Sequence, residues 1–201
     1  MSVAVKIARP FLTARRNERH LPGEVGTWIF IVGDMLVFAV FFLDYLHSQA
    51  GQPELFEDSQ RTLEPRYGFI NTLVLLVSSL FVVVAMRAIR AGHTTVAPRM
   101  VSGAISCGLG FAVLKVLEYS SKVDQGLVPT TNDFFMYYFI LTGLHFFHVL
   151  VGLCFLTLVF VASRKPVGPG KKMALIEGGT CYWHMVDLLW IVLFPLLYLV
   201  I

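Results

Sequence analysis

The sequence predicts an all-α integral membrane protein: a bundle of five transmembrane helices with a cytoplasmic N-terminus and a C-terminus outside. Composition is the first observation, because 56% of the 201 residues are hydrophobic, 14% are charged and the mean hydropathy is +0.71. These values exclude an ordinary soluble domain. The second is the presence of five apolar stretches of roughly 20 residues or more, which is the length a helix needs to cross a bilayer. The third is the distribution of Lys and Arg, which predicts the orientation.

The predicted spans follow a basic arm over residues 1–23 and together form one membrane domain over residues 24–201. They cover residues 24–46, 68–91, 98–119, 134–162 and 176–201. The connection over residues 47–66 is rich in Pro, Gly and acidic residues. We expect it to be the least ordered part of the chain and to be available to a partner.

Lys and Arg residues are distributed unequally between the two ends of the predicted bundle. Twelve lie in the N-terminal arm and in the second and fourth connections, whereas three lie in the other connections. The positive-inside rule therefore puts the N-terminus in the cytoplasm. The basic arm is expected to face anionic lipid rather than nucleic acid.

The first span carries an acid, Asp34, near its midpoint. At helical rise Asp34 lies about 16 Å from Gly23, deep in the hydrocarbon. An isolated ionisable group there costs about 2.5 to 3.5 kcal/mol or more. Asp34 is therefore either a hydrogen-bonded acid retained for packing or a group with a proton- or lipid-linked role. Gly33 beside it is expected to let another backbone come close.

The other spans add further intramembrane polar residues. The third, fourth and fifth each carry a pair three positions apart: Lys115 and Glu118, His145 and His148, and His184 and Asp187. Residues at this spacing share one helix face, so Lys115 and Glu118 are expected to pair with each other. Antiparallel helices joined by short loops pack side by side, so the three polar faces are expected to converge.

The pair on the last span lies within the stretch Y-W-H-M-V-D-L-L-W at 182–190. Its two ionisable residues lie roughly 12 to 17 Å into the membrane and share one face between Trp183 and Trp190. Two such groups predict a protein-facing surface with partners for both. Glu177 stands at the start of the same span.

Three kinds of function are compatible with this polar set. The first is a metal site, but the Glu-x-x-His repeat of di-metal bundles does not occur in the sequence, and Lys115 would oppose a cation. The second is a transporter or proton channel, but neither inverted repeats nor a Pro-Gly break in mid-span occur. The third is structural: buried polar residues that fix helix packing and hold lipid or a partner subunit. The residues favour the third, with a free-standing membrane enzyme or transporter as its rival.

Six motifs, in order and on the expected spans, resemble subunit III of the haem-copper oxidases, the cytochrome c oxidase family. They are G-T-W-I-F-I-V-G-D-M-L-V-F at 26–38, N-T-L-V-L-L at 71–76, L-E-Y at 117–119, T-G-L-H-F-F-H-V-L-V-G at 142–152, Glu177, and the stretch at 182–190. The resemblance extends from about residue 21 to the C-terminus. Family members usually have seven spans, so this chain resembles the short five-span bacterial form. Asp34 stands where the family usually has Glu, and Lys115 stands where it usually has Gln.

The resemblance implies a non-catalytic subunit of a respiratory terminal oxidase in a bacterial inner membrane. Such a subunit stabilises the catalytic subunit I beside subunit II, binds phospholipid, and supports proton uptake and sustained turnover as electrons pass from cytochrome c to oxygen. The haem and copper are then expected in the partner subunits, with no catalytic or metal-binding residue in this chain. An accessory subunit of a nitric oxide reductase is the alternative.

Both the resemblance and the residues implicate one set of polar side chains. The proton- and lipid-related network is expected to comprise Asp34, Lys115, Glu118, His145, His148, Glu177, His184 and Asp187.

Overall fold

The computed structural model describes residues 25–168 and 170–199, with the side chain of Val25 excepted. Six α-helices follow one another: α1 (Val25–Gly51), α2 (Pro53–Arg61), α3 (Pro65–Arg90), α4 (Val96–Asp124), α5 (Asp133–Ser163) and α6 (Lys171–Tyr198). All except α2 are long and apolar enough to cross a membrane. The predicted all-α, five-span fold is therefore confirmed. The basic arm at 1–23 lies outside the described residues, and which end of the bundle faces the cytoplasm stays a prediction.

The spanning helices extend beyond the apolar stretches that predicted them. Helix α1 continues to Gly51 and α6 begins at Lys171, each five residues beyond the predicted end of its span. A helix needs apolar residues only within the hydrocarbon, so its polar ends escape a prediction based on hydropathy. Helix α5 begins where the side chain of Asn132 accepts a hydrogen bond of 3.0 Å from the Phe135 amide, which caps the first turn.

The expectation that residues 47–66 are the least ordered part of the chain is wrong, because helix α2 lies within them. Phe56 of α2 is fully buried and packs edge-on against the rings of Tyr45 and Phe134. Lys122 of α4 donates to the carbonyl of Thr62 just after α2, at 2.5 Å. The Pro-rich and acidic composition suggested a loop, but both features are also compatible with a helix. Proline is favourable in the first turn of a helix, and acidic residues are favourable near its start.

Helices α3 to α6 form the centre of the bundle, and α6 is its most buried element. Trp183 and Trp190 of α6 are fully buried, and their indole N–H groups donate to hydroxyls on α3. One glycine on α4 and one on α5 make room for the ring of Trp183. A Cβ at Gly108 would lie 2.8 Å from Trp183, and one at Gly152 would lie 2.7 Å from it. These two glycines thus set the distance of α4 and α5 from α6.

Helix α1 lies at the side of the bundle against α5 and α6. Most of its apolar side chains are exposed, and Ile29 and Leu43 are about 70% and 68% exposed. The close helix approach expected at Gly33 is absent from the described part of the chain, because a Cβ there would meet nothing within 4 Å. The exposed face of α1 is therefore available to lipid or to another subunit.

Candidate functional site

The polar residues do not converge on one point, contrary to the sequence-based expectation. They form separate groups in different helix interfaces: Lys115 with Glu118, Asp34 with His148, His184 with Asp187, and Glu177 with Arg90. The fifth component, His145, lies between aromatic rings. The paired residues have their nearest partners in their own helix interfaces, so the bundle contains several polar contacts rather than one polar centre.

Lys115 and Glu118 pair with each other as predicted, and both are buried. Lys115 Nζ lies 3.0 Å from Glu118 Oε2, 3.0 Å from the Tyr198 hydroxyl and 3.2 Å from the Tyr138 hydroxyl. Both hydroxyls donate in turn to Glu118 Oε1, at 2.8 Å from Tyr138 and 2.5 Å from Tyr198. All three ammonium protons therefore have acceptors, which is the condition under which a buried ion pair is tolerated.

Aromatic faces enclose the same ammonium group. Lys115 Nζ lies 4.8 Å from the ring centroid of Tyr138, 5.1 Å from that of Tyr119 and 5.3 Å from that of Trp190. Cations within about 6 Å of a ring centroid are attracted by its negative face. The sequence pattern did not reveal Tyr138 and Tyr198, which lie 20 and 80 residues from Glu118 along the chain and on other helices. The group binds α4, α5 and α6 together.

Asp34 and His148 form the contact that the sequence did not predict. Asp34 Oδ1 lies 3.0 Å from His148 Nε2, joining α1 to α5. The other ring nitrogen, Nδ1, lies 2.7 Å from the carbonyl oxygen of Leu144. A carbonyl only accepts, so Nδ1 carries a proton. A hydrogen bond at Nε2 then requires one further proton on either Asp34 or His148.

His145 lies close to His148 in the sequence but in a different environment. It is fully buried, with its ring 5.2 Å from Trp190 and 5.7 Å from Phe111 between centroids. Neither ring nitrogen has a hydrogen-bond partner within residues 25–168 and 170–199. The two histidines thus do not act as one pair, although they share a helix and lie three residues apart.

His184 and Asp187 divide between the surface and the interior. The Asp187 side chain is 5% exposed, whereas that of His184 is 37% exposed, so the predicted protein-facing surface with partners for both residues stays a prediction. His184 Nδ1 lies 2.8 Å from Ser79 Oγ on α3 and 4.0 Å from Asp187 Oδ2. The sequence predicted that His184 and Asp187 share one helix face. It did not predict that His184 reaches the surface of the chain while Asp187 is buried.

Glu177 lies in the second turn of α6, where its side chain is 8% exposed. Its Oε1 accepts a hydrogen bond of 3.1 Å from Arg90 at the end of α3. Arg90 is itself largely exposed, so this ion pair is only partly shielded from water and contributes modestly. It joins the ends of α3 and α6.

A cavity of about 700 Å³ opens between α1, α5 and α6. Phe30, Phe155 and Tyr182 contribute to its apolar walls, and Lys171 and Lys172 of the first turn of α6 also line it. The two lysines are exposed. The combination of an apolar volume and two cations at a helix N-terminus fits an amphiphile with an anionic head group.

Residues suited to bind a metal are not brought together in the part of the chain that the structure describes. No three or more His, Cys, Asp or Glu side chains there are placed to hold an ion. Most carboxylates and imidazoles of the predicted set instead face a hydroxyl, a basic side chain, a backbone carbonyl or an aromatic ring. Neither oxygen of Asp187 has a hydrogen-bond partner among the described residues.

Comparison with known proteins gives consistent results. Cytochrome c oxidase subunit III, as a family, matches residues 22–200. Cytochrome c oxidase subunit 3 of Synechocystis sp. is 29% identical over 201 residues, covering 94% of this chain and 85% of the relative. The same subunit of Corynebacterium diphtheriae is 29% identical over 96% of this chain and 95% of the relative.

A relative with a different name matches over most of the same region. Cytochrome bo(3) ubiquinol oxidase subunit 3 of Pseudomonas aeruginosa is 28% identical over 178 residues, covering 87% of this chain and 83% of the relative. The family match takes in all five spanning helices and every polar group described above. The chain is a multi-pass membrane protein that belongs to the cytochrome c oxidase subunit III family.

Proposed function

We propose that this chain is the non-catalytic subunit III of a respiratory haem-copper terminal oxidase in a bacterial inner membrane. It stabilises the catalytic subunit I beside subunit II, which hold the haem and copper, while electrons pass from cytochrome c to oxygen. The family match over residues 22–200 carries this proposal. The relatives named above include subunits of both cytochrome c and ubiquinol oxidases, and oxygen-consumption assays with each donor distinguish the two.

Purification in mild detergent tests the proposal. A tagged chain is expected to bring with it larger subunits that show a haem absorption spectrum and consume oxygen when given reduced cytochrome c. Recovery of the chain alone would favour a free-standing enzyme or transporter. Recovery of a haem complex that reduces nitric oxide but not oxygen would favour the alternative oxidoreductase.

The Asp34–His148 contact supports a role in proton handling. Its hydrogen bonding requires one proton at the Asp34 Oδ1–His148 Nε2 contact, carried by either residue. The Asp34 side chain is 13% exposed, so it is not sealed within the chain. A group with an exchangeable proton at such a position is suited to pass protons towards the catalytic subunit during turnover.

The cavity between α1, α5 and α6 supports phospholipid binding. Its apolar walls suit an acyl chain, and Lys171 and Lys172 suit a phosphate. Replacing both lysines with alanine is expected to lower the phospholipid that copurifies with the complex, measured by mass spectrometry. Lys165→Ala is the matched control, because this exposed lysine lies on the connection just before α6 but does not line the cavity. Equal lipid in both variants would exclude this cavity as the binding site.

A further inference from the structure

The cavity between α1, α5 and α6 ends one helical turn short of the Asp34–His148 contact. Phe30, which lines the cavity, stands four positions before Asp34 on α1. Val151, which also lines it, stands three positions after His148 on α5. Residues at these spacings share one helix face. The carboxyl group and the imidazole therefore continue the same two helix faces just beyond the cavity.

The length of the cavity suits an acyl chain of one membrane leaflet. Its lining residues on α6 run from Lys171 to Tyr182, eleven positions further along the helix. At helical rise this is about 16 Å. The hydrocarbon core of a bilayer is about 30 Å thick, so one leaflet takes up about half of it. An acyl chain whose head group lies at Lys171 therefore ends beside Tyr182.

Two aromatic rings, those of Phe30 and Tyr182, form the wall of the cavity nearest to Asp34. Their centroids are 6.0 Å apart, and the Tyr182 ring stacks on that of His148 at 6.5 Å. Although 13% of the Asp34 side chain is exposed, its Oδ2 is buried and has no hydrogen-bond partner among the described residues. Water in the cavity thus does not reach this oxygen while both rings stay in place.

Phe30 is the part of this wall that is free to move. Its side chain is 54% exposed, whereas Tyr182 is buried and donates a hydrogen bond of 3.4 Å to the carbonyl of His148. An exposed side chain changes rotamer within nanoseconds when there is space beside it. The cavity of about 700 Å³ provides that space. An acyl chain inside the cavity removes it, because closely packed groups resist displacement.

We propose that an acyl chain in the cavity controls proton exchange at the Asp34–His148 contact by holding Phe30 against Tyr182. While the acyl chain is bound, the two rings exclude water from Asp34 Oδ2. When it leaves, Phe30 turns into the cavity and water reaches the carboxyl group. The one proton of the contact then exchanges with that water. This inference rests on the phospholipid site proposed above and adds a regulatory role to it.

Chemical access to position 34 in the purified complex measures whether the wall is closed. Asp34→Cys is introduced into a chain whose other cysteines are replaced by alanine, and its reaction with a small charged methanethiosulfonate reagent is timed. Phe30→Ala removes the ring and should raise the rate at least about tenfold, since a minor open state is populated to about 10% at most. Val37→Ala is the control, because Val37 is 48% exposed on the same helix but does not line the cavity. Equal rates in the two variants would overturn the proposed wall.

Substitutions around the cavity test the role of the acyl chain. Lys171→Ala together with Lys172→Ala should lower the bound phospholipid and raise the rate of labelling at position 34. Adding Val151→Phe to this variant fills the cavity with a ring and should lower the rate again without restoring the phospholipid. Leu158→Phe is the matched control, because Leu158 is exposed on α5 outside the cavity.

The outcomes separate failure of the lipid site from failure of its control over Asp34. Unchanged phospholipid in the double lysine variant would exclude the lipid site, and the regulatory role would fall with it. Less phospholipid with unchanged labelling would leave the lipid site standing and overturn the regulatory role. Equal labelling after Val151→Phe and after Leu158→Phe would also overturn it.

Discussion

Asp34 and His148 depend on each other at the scale of single residues. The carbonyl of Leu144 accepts a hydrogen bond from Nδ1 of His148, so Nδ1 is protonated. The contact between His148 Nε2 and Asp34 Oδ1 then holds one proton, which either residue carries. Removing the carboxylate leaves Nε2 of His148 without this partner. A separate contact further along the two helices, in which the Tyr137 hydroxyl donates to Asp44 at 2.8 Å, continues to hold α1 against α5.

We therefore expect Asp34→Ala to leave the complex assembled but to make oxidase activity decay during turnover. The loss of one interhelical hydrogen bond costs about 0.6 to 1.7 kcal/mol, too little to unfold the bundle. Oxygen consumption followed over prolonged turnover measures the effect. Asp34→Asn is the informative control, since it retains a hydrogen-bonding group without the acid. Sustained activity in Asp34→Ala would reduce Asp34 to a packing residue.

The buried pair of Lys115 and Glu118 permits a test of charge burial. Lys115→Met leaves Glu118 with two tyrosine donors but no cation, and an uncompensated buried charge costs about 3 to 5 kcal/mol. We expect a clear loss of folded chain, measured by size-exclusion yield. The double variant Lys115→Met with Glu118→Gln removes both charges and is expected to recover part of the yield. If the double variant is no better than the single one, the charge is not the cause.

At the scale of helices, two glycines on α5 differ in their surroundings. A Cβ at Gly152 would meet the Trp183 ring at 2.7 Å, whereas a Cβ at Gly143 would meet nothing within 4 Å. Gly152→Ala should lower the free energy of unfolding by about 1 to 3 kcal/mol through overpacking. Gly143→Ala on the same helix should be neutral or slightly stabilising, because alanine favours helix. Thermal unfolding in detergent compares the two, and equal midpoints would contradict the packing described for Trp183.

The buried ring of Phe56 holds helix α2 against the bundle. Phe56→Ala removes the only fully buried large side chain of α2 and should cost about 3 to 5 kcal/mol locally. We expect faster proteolysis within residues 52–64, with the spanning helices intact on gels. Glu54→Ala, an exposed change on the same helix, is the control. Equal cleavage of the two variants would show that Phe56 does not hold α2 in place.

Elements and contacts were not equally predictable from the sequence. Hydropathy predicts the five spans because the apolar stretch of each has to be as long as the hydrocarbon core is thick. The i, i+3 spacing predicts the Lys115–Glu118 pair because both residues lie on the same turn of one helix. The Asp34–His148 contact joins residues 114 positions apart, and no periodicity signals such a pairing. The exposure of His184 depends on which helices cover α6, which is a property of the assembled bundle.

At the scale of the whole molecule, the orientation of the bundle follows from charge alone and is open to a direct test. Single cysteines at Gln125 and at Lys165, in a cysteine-free background, lie on opposite ends of the bundle. The positive-inside rule predicts that a membrane-impermeant thiol reagent labels position 125 from outside intact cells. Position 165 should react only after the membrane is opened. The reverse pattern would invert the topology.

The placement of α1 also has a consequence for how the chain is made. Its partners are on α5 and α6, so Asp34 emerges 114 residues before His148. At about 5 to 20 residues per second, roughly 6 to 23 seconds of translation separate the two. We expect the first helix to enter the bilayer during that interval with its acid still unmatched. The insertion machinery or a waiting subunit then has to shelter that acid until the fifth helix arrives.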